Sequence, residues 1–389
     1  MSQTKTVAIL MGLMFLATIS LVAQKKTPVI LITDLYLPAQ DVGDNFDILT
    51  PYALPEIDLK GVIFDVTNSF RRNDSLDGEA REPGFVAIHQ LNYIFNKNVP
   101  SACSPFFAMR SAHDKMTDLP KFQQQGLELF FGILESSHEK VEVVSTGSAR
   151  LLAVAYNRNP GLMKKKIKNI HLCAGASSDH FMEWNIKLDT LAAYRLLSSD
   201  LTVCIYPCAT ESGPFDKGVN NTFWALKDLS FILDMEAPLQ CYLAFAFLHK
   251  NRLDYLNYLD KPLDKEDRKE LLDYEIGKWF GSGGKHYVWE TAVWEIVAHR
   301  KLIKQKNGEI ALLPEKEIEP GSTLCKEELR PCVITPLKGG LFSFRYTRQR
   351  SSFKIYYRNN PKQNELWLQQ ALPRLYKSFQ TIRKEDHIH

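Results

Sequence analysis

The chain has 389 residues, of which 45% are hydrophobic and 24% charged, enough apolar content for a substantial core. Its 48 Lys and Arg against 45 Asp and Glu leave a formal net charge of only +3, so net charge gives no argument for nucleic acid or an acidic substrate. The length suits one large α/β domain as well as two average ones.

Lys5 supplies a small positive region, and an apolar run over residues 7–23 ends Leu-Val-Ala before Gln24. This pattern predicts a cleavable export signal over residues 1–23, a periplasmic or secreted protein, and no stable membrane insertion after cleavage. A single membrane anchor is the alternative, but the run is short for a span and Gly12, Thr18 and Ser20 weaken it. No cysteine lies near the cleavage point, which argues against a lipid anchor. Export would place the seven cysteines in an oxidising compartment, and an odd number leaves at least one unpaired. Cys173, Cys204 and Cys241 sit in apolar runs and read as buried thiols. Cys325 with Cys332, and Cys204 with Cys208, are candidate pairs. No Cys-x-x-Cys pair points to zinc or redox chemistry.

Residues 28–32 are apolar, β-branched and not alternating, and predict a buried strand. An acidic, turn-rich loop follows over residues 33–47 and carries Asp34, Asp41 and Asp44. Carboxylates at the carboxyl end of the first strand of an α/β sheet lie where such sheets bind ligands. Crowded in one loop they repel each other unless a cation sits among them, and Ca2+ with oxygen ligands fits. The plain alternative is a solvated loop in which Asp44 caps a helix over residues 46–54. A turn at Pro55-Glu56 and a second buried strand at 61–66 come next. A helix including 128–134 precedes a strand at 141–145, and a further strand is predicted at 201–206. Strands alternating with helices to about residue 210 predict a mainly parallel open sheet flanked by helices. The lysine run at 164–168 reads as a solvated helix end.

Residues 211–280 are richer in aromatics and helical patterns, with helices predicted at 222–234, 239–249 and 265–280. A flexible break at 281–284 precedes an amphipathic helix at 289–300. From the turn at Asn307-Gly308 the pattern changes to short strands at 309–313, 332–335, 340–346 and 353–357, closed by a helix at 364–383. The predicted organisation is a signal at 1–23, an α/β domain at 24–306 and a small α+β extension at 307–389 packed on the core. There are no repeats or low-complexity stretches. Homo-oligomerisation stays open; exposed aromatics around Phe223-Trp224 or Trp279-Phe280 would mark a partner surface.

Several segments together resemble the nucleoside hydrolase family of inosine/uridine-preferring type. The strand, aspartate loop and helix at 28–54, followed by Pro55-Glu56-Ile57 and strand two, resemble the family's opening. Residues 141–162, with Gly147 in the turn and Asn159-Pro160 after the helix, look like its strand–Gly-turn–helix–Pro unit. Residues 170–176 are similar to its next strand. The most specific match is Glu183-Trp184-Asn185 with Asp189, Ala192 and Ala193, which resembles the family's Glu-Phe-Asn and Asp-Pro-x-Ala-Ala element. The resemblance covers roughly residues 28–215, weakens to about 300 and is absent beyond. It implies an exported hydrolase of N-glycosidic bonds acting on small nucleosides or related ribosides, with Ca2+ as cofactor. Asp34 would ligate calcium and act as base. Asp44 and the main-chain carbonyl of Arg150 would be further ligands. Asp41 would ligate or contact ribose, and Glu183 with Asn185 would bind sugar hydroxyls.

This sequence also departs from the family pattern. Gly43 stands where the family has the first Asp of an Asp-Asp pair, the loop before Asp44 is longer, and Arg150-Leu151 replaces Thr-Asn. Near residue 290 the family supplies another calcium Asp. Straight alignment puts Trp289 there, and Glu290 would serve by a one-residue shift. His286 is a candidate acid for the leaving base, or an incidental histidine beside a Gly-rich loop. Two other readings stay open. One is a catalytically degenerate relative that binds a sugar-like ligand in the same cleft. The other is a metal-free glycosidase with two carboxylates, Asp41 and Glu183 being the first pair to consider.

Overall fold

The computed structural model describes residues 25–37, 42–70, 82–248, 252–273 and 286–381. The expected signal segment, Asp41, the break at 281–284 and Trp279-Phe280 lie outside the described residues. The first half of the chain comprises β1 (Thr27–Thr33), β2 (Tyr36–Leu37), α1 (Val42–Ala53), β3 (Ile57–Phe64), β4 (Glu82–Pro83), α2 (Phe85–Ile94), β5 (Ser101–Cys103), α3 (Lys121–Ser136), β6 (Val141–Ser145), α4 (Arg150–Arg158), α5 (Pro160–Lys166), β7 (Ile167–Leu172), α6 (Trp184–Leu188), α7 (Thr190–Leu197) and β8 (Val203–Ile205). The second half comprises β9 (Trp224–Leu226), α8 (Ala237–Phe247), α9 (Asn257–Asp260), α10 (Lys265–Leu272), β10 (His286–Val288), α11 (Thr291–Val297), β11 (Arg300–Lys304), β12 (Ile310–Pro314), β13 (Thr323–Leu324), β14 (Glu327–Pro336), β15 (Phe342–Tyr346), β16 (Phe353–Arg358) and α12 (Pro361–Lys377).

A nine-stranded sheet organises these elements, in the order β15-β14-β16-β8-β7-β6-β1-β3-β5. The strands from β16 to β5 pair in parallel, while β14 runs antiparallel to both β16 and β15. β1 lies between β3 and β6, so the chain builds outward on one side through β3 and β5 and then returns to build β6, β7 and β8 on the other. The crevice between β1 and β6 is the topological switch point, where such sheets bind ligands beyond their carboxyl ends. β6 is buried throughout and β1 from Val29 onward, which explains their lack of polar alternation. Alternate β1 residues feed two cores: Val29 and Leu31 join one face, Ile30 and Ile32 the other.

Local chemistry sets the helix starts. Asn159 accepts from the Leu162 N–H with Pro160 in the first turn of α5, and Asp189 accepts from the Ala192 N–H at the start of α7. The lysines ending α5 are used rather than idle: Lys164 pairs with Asp200 at 2.9 Å, and Lys166 donates to the Ser137 carbonyl at 2.5 Å.

The structure departs from the sequence expectations mainly after residue 210. The helix expected at 222–234 is strand β9 followed by a 3-10 turn at Ser230–Asp234. Phe223 and Trp224 are buried, so they form core rather than an exposed partner surface. The helix expected at 289–300 is shortened to α11, because His286–Val288 pairs with β9 as β10 and Arg300 already belongs to β11. The strand expected at 332–335 extends over Glu327–Pro336, where pairing to β16 and β15 overrides a sequence interrupted by Pro331. All seven cysteines are free thiols. Cys325 packs against one core and Cys332 lies within the other, so the sheet separates that expected pair. Cys204 and Cys208 are buried as separate thiols. No helix among the described residues is long and apolar enough to cross a membrane.

The last helix is tied to the first. Tyr376 of α12 stacks on Phe46 of α1 at 4.6 Å between ring centroids, and Phe231 lies 5.9 Å from Tyr376. Tyr376→Ala is therefore expected to cost about 3–5 kcal/mol of stability in a urea titration, as for other large aromatic truncations. A change below about 1 kcal/mol would show that α12 contributes little to the core.

Candidate active site

Four parallel strands deliver the site at their carboxyl ends. β1 leads to Asp34, β3 to Asp65, β6 to the turn 146–149, and β7 to Cys173-Ala174-Gly175. The turn after β6 approaches the first two so closely that only glycine fits at position 147. A Cβ there would lie 2.9 Å from Asp65 Oδ2 and 3.4 Å from the Asp34 Cβ. The Asp65 carboxylate accepts from the Ser148 N–H at 2.6 Å and from Ser104 Oγ at 3.3 Å. Tyr36 stands beside them: its hydroxyl accepts from the Thr67 N–H at 2.8 Å, and burial raises its pKa, with Asp34 and Asp65 adding to the rise.

Arg150 opens α4 and its side chain is fully buried. Nε donates to Asp189 Oδ2 at 3.0 Å, Nη1 to the Val66 and Pro105 carbonyls, and Nη2 to Thr67 Oγ1 and the Leu188 carbonyl. A guanidinium has five N–H donors, and these contacts use that full complement. Asp65 adds an ion pair at 3.8 Å. This side chain therefore ties the ends of β3 and β5 to the β6–α4 turn and to the junction of α6 and α7. The sequence singled out Arg150 only for its main-chain carbonyl.

Glu183 and Asn185 meet the same crevice. Glu183 caps α6: one carboxylate oxygen accepts from the Asn185 N–H at 3.0 Å, the other from Gly175 at 2.7 Å and Ile186 at 3.3 Å. Burial pushes its pKa up to about 7, against the lowering effect of those N–H bonds. Asn185 Nδ2 donates to the Cys173 carbonyl at 2.9 Å and the Thr146 carbonyl at 3.4 Å, so the amide bridges the ends of β7 and β6. Gly175, with φ +87°, leaves room for the Phe342 ring of β15, which a Cβ would meet at 2.6 Å.

Two buried thiols feel the remaining carboxylates. The Cys173 pKa is pushed well up by burial and by the negative charges of Glu290, Asp47 and Glu183. The Cys208 pKa is pushed up by burial, with Glu183, Glu290 and Asp34 adding. Glu183 and Glu290 thus lie near both thiols, Asp47 near Cys173 and Asp34 near Cys208. Asp44 is buried in the first turn of α1, which starts two residues before it, so it sits inside the helix rather than as its cap. Glu290 is buried immediately before α11, whereas Trp289 turns away and donates from Nε1 to the Pro214 carbonyl at 3.0 Å. Trp289, Tyr287, Phe215 and Phe223 form an aromatic cluster, with Phe215 43% exposed. His286 is buried at the start of β10, a strand packed against α1. Asp41 lies outside the described residues.

The carboxylates near the crevice offer the oxygen donors a hard cation takes, beside the buried thiols of Cys173 and Cys208. Among the described residues, however, no three of His, Cys, Asp and Glu are arranged as a metal-binding group. Asp47 and Asp65 were not singled out from the sequence. Asp47 follows Asp44 at helical spacing on a buried face, a signal that was readable. Asp65 acquires its role through Arg150, far away in sequence, and no local pattern announces that.

No family model matches the chain, and no curated protein matches it either. Solved structures do. A purine-preferring ribonucleoside hydrolase from Gardnerella vaginalis matches with 13% identity over 90% of this chain and 99% of its own, at a TM-score of 0.52. A plant nucleoside hydrolase matches with 14% identity over 88% of this chain and 98% of its own, at a TM-score of 0.50. The likeness is one of fold: a large, mostly parallel sheet flanked by helices, as in these hydrolases.

Two predictions follow from the buried charges. Arg150→Met would leave Asp65 and Asp189 without their cation and is expected to destabilise by about 3–5 kcal/mol in chemical denaturation; a loss under about 1 kcal/mol would contradict the hub role. Glu183 holds its proton more tightly folded than unfolded, so between about pH 4.5 and about 7 the native state binds more protons. Stability must therefore fall as pH rises through that window, by up to about 3 kcal/mol, and level off above it. Glu183→Gln should flatten that slope; thermal melts of both proteins across pH 4–8 provide the measurement.

Proposed function

We propose that this protein hydrolyses the N-glycosidic bond of nucleosides or closely related ribosides. The observation that supports the reading is the placement of Asp34, beside the Gly147 turn, and of Glu183 and Asn185, bonded to the ends of β6 and β7, at the switch point of a nucleoside hydrolase-like sheet. Such a reaction passes through an oxocarbenium-like state, so the enzyme must grip the sugar, deprotonate a water and accommodate the leaving group.

In this reading Glu183 and Asn185 hold the sugar hydroxyls. The three backbone N–H bonds on the Glu183 carboxylate fix its orientation and leave acceptor capacity for a ligand hydroxyl. The Asn185 amide is fixed through Nδ2, and its Oδ1 takes no part in those two bonds. Asp34 is the base that takes the proton of the attacking water. The leaving group lies toward Tyr287 and Phe215, whose rings offer a planar, apolar surface, with His286 as the acid that protonates it. Water exclusion by the buried walls strengthens each of these electrostatic contacts.

Calcium belongs to the same proposal. Asp34, Asp44, Glu290 and the main-chain carbonyl of Arg150 would hold it, with Asp41 contributing from the neighbouring loop. Bound there, it would lower the pKa of a water and bind vicinal hydroxyls. Export, read from residues 1–23, is likewise part of the proposal.

The sugar-binding reading without catalysis rests on the departures at Gly43 and Trp289, and one experiment separates the two. Calorimetry with Ca2+ on the chain from Gln24, beside Asp44→Ala, is combined with an assay of ribose released from inosine, uridine and adenosine. The expected outcome is calcium binding weakened at least tenfold by Asp44→Ala, with ribose release lost in Asp34→Asn. Ribose release that persists in Asp34→Asn would remove Asp34 as base. Nucleoside binding without release would establish the non-catalytic reading.

A further inference from the structure

The joint between α11 and the C-terminal extension is polar at its centre. Glu295 of α11 is only 4% exposed. Its partner across the joint is another acid: the Glu295 carboxyl is hydrogen-bonded to that of Glu327, the first residue of β14. An ionised carboxylate has no donor, so this bond exists only while one of the two groups carries a proton. Glu295 Oε1 is buried and accepts no hydrogen bond.

Donors gather on the other partner. Glu327 Oε1 accepts from the Tyr356 hydroxyl and from Asn364 Nδ2, each at 2.6 Å. Asn364 Oδ1 accepts in turn from Arg358 Nη1 at 3.0 Å, and Arg358 stands opposite Glu327 in the β14–β16 register. These donors satisfy a carboxylate at Glu327, which leaves the proton on Glu295. The remaining Arg358 donors are spent on Asn221 and on the Gly218 and Phe223 carbonyls. Lys301 of β11 bears on Glu295, but its ammonium pairs with Glu315 at 3.1 Å. The other titratable groups that feel the Glu295 charge are Cys325, Tyr356 of β16 and Tyr376 of α12, and Asp47 of α1 acts on Tyr376 as well. None of these four supplies a positive charge.

We propose that one proton shared between Glu295 and Glu327 latches α11 to the C-terminal extension, a pH-sensitive device that does not rest on the hydrolase reading. Without the proton, two carboxylates oppose each other in a buried joint, and separation of α11 from β14 is the relief. α11 starts at Thr291, directly after Glu290, so the latch acts on the segment that carries that carboxylate and His286. Burial and the Glu327 charge push the Glu295 pKa well above its ordinary 4.5. The folded chain therefore keeps a proton that the unfolded chain releases. The latch contributes fully below about pH 4.5, and its contribution falls as pH rises toward the folded pKa.

The test compares Glu183→Gln with Glu183→Gln/Glu295→Gln in urea titrations from pH 5 to pH 7. The common Glu183 change removes the other carboxyl whose pKa is raised. The amide introduced at position 295 donates to Glu327 and has no proton to lose. The ratio of the two folding constants should move in favour of the double variant by about tenfold per pH unit, the slope of one proton. At pH 8 the α11 amides should exchange with deuterium about tenfold faster in Glu183→Gln than in the double variant. Infrared spectra at pH 7 should show a protonated carboxyl in Glu183→Gln that the double variant lacks. If the double variant does not fold, Glu183→Gln/Glu327→Gln takes its place, and the same pH-dependent ratio is expected. A ratio that does not change with pH, or the absence of that protonated carboxyl, would overturn the proposal.

Discussion

One buried cation holds the working end of this fold together. The Arg150 guanidinium reaches the ends of β3 and β5, the α6–α7 junction and two carboxylates, with all of its donors used. A charge removed from water is costly unless it is paired and fully hydrogen-bonded, and here both conditions are met. Segments that elsewhere would be separate loops become one rigid floor. Asp65, held by Arg150 and by Ser148 N–H, in turn fixes the turn at Gly147 against Asp34. The first candidate catalytic carboxylate is thus positioned from beneath by a side chain that never needs to touch a ligand.

The opposite wall of the crevice depends on the C-terminal extension. The Phe342 ring packs into the space left by Gly175, whose N–H bonds Glu183. Gly340 approaches Thr190 and Ile186, next to Asn185. β14 and β16 continue the central sheet, and α12 stacks on α1 through Tyr376 and Phe46. The extension therefore shares both the hydrogen-bond ladder and the core with the elements that carry the candidate site, and its removal would expose the back of the segment that carries Glu183 and Asn185.

Much of the first half was legible because its signals are local. Strands β1, β3 and β6 are continuous apolar runs, and the turns at Gly147 and Asn159-Pro160 carry residues whose backbone chemistry dictates a turn or helix start. Glu183 and Asn185 were visible because they match the Glu-x-Asn element of the resembled family; that Glu183 caps a short helix containing Asn185 was not. The second half was harder to read for a physical reason: β9 and β10 are short, aromatic and stabilised by each other, so their residues look helical in isolation. The disulfide pairs were suggested by proximity along the chain, which says nothing about which face of a sheet each thiol occupies.

The sequence alone determined the alternation of strands and helices, the acidic loop after the first strand and the capping residues, since each follows from propensity, polarity or a fixed spacing of a few residues. Tertiary structure decided everything that depends on contacts between distant segments. It turned the Trp289 indole toward the Pro214 carbonyl, buried Glu290, made Arg150 a structural hub and joined Asp65 to it. Burial depth and charge pairing arise only when separate strands end at a common edge, and neither has a signature in a single stretch of chain.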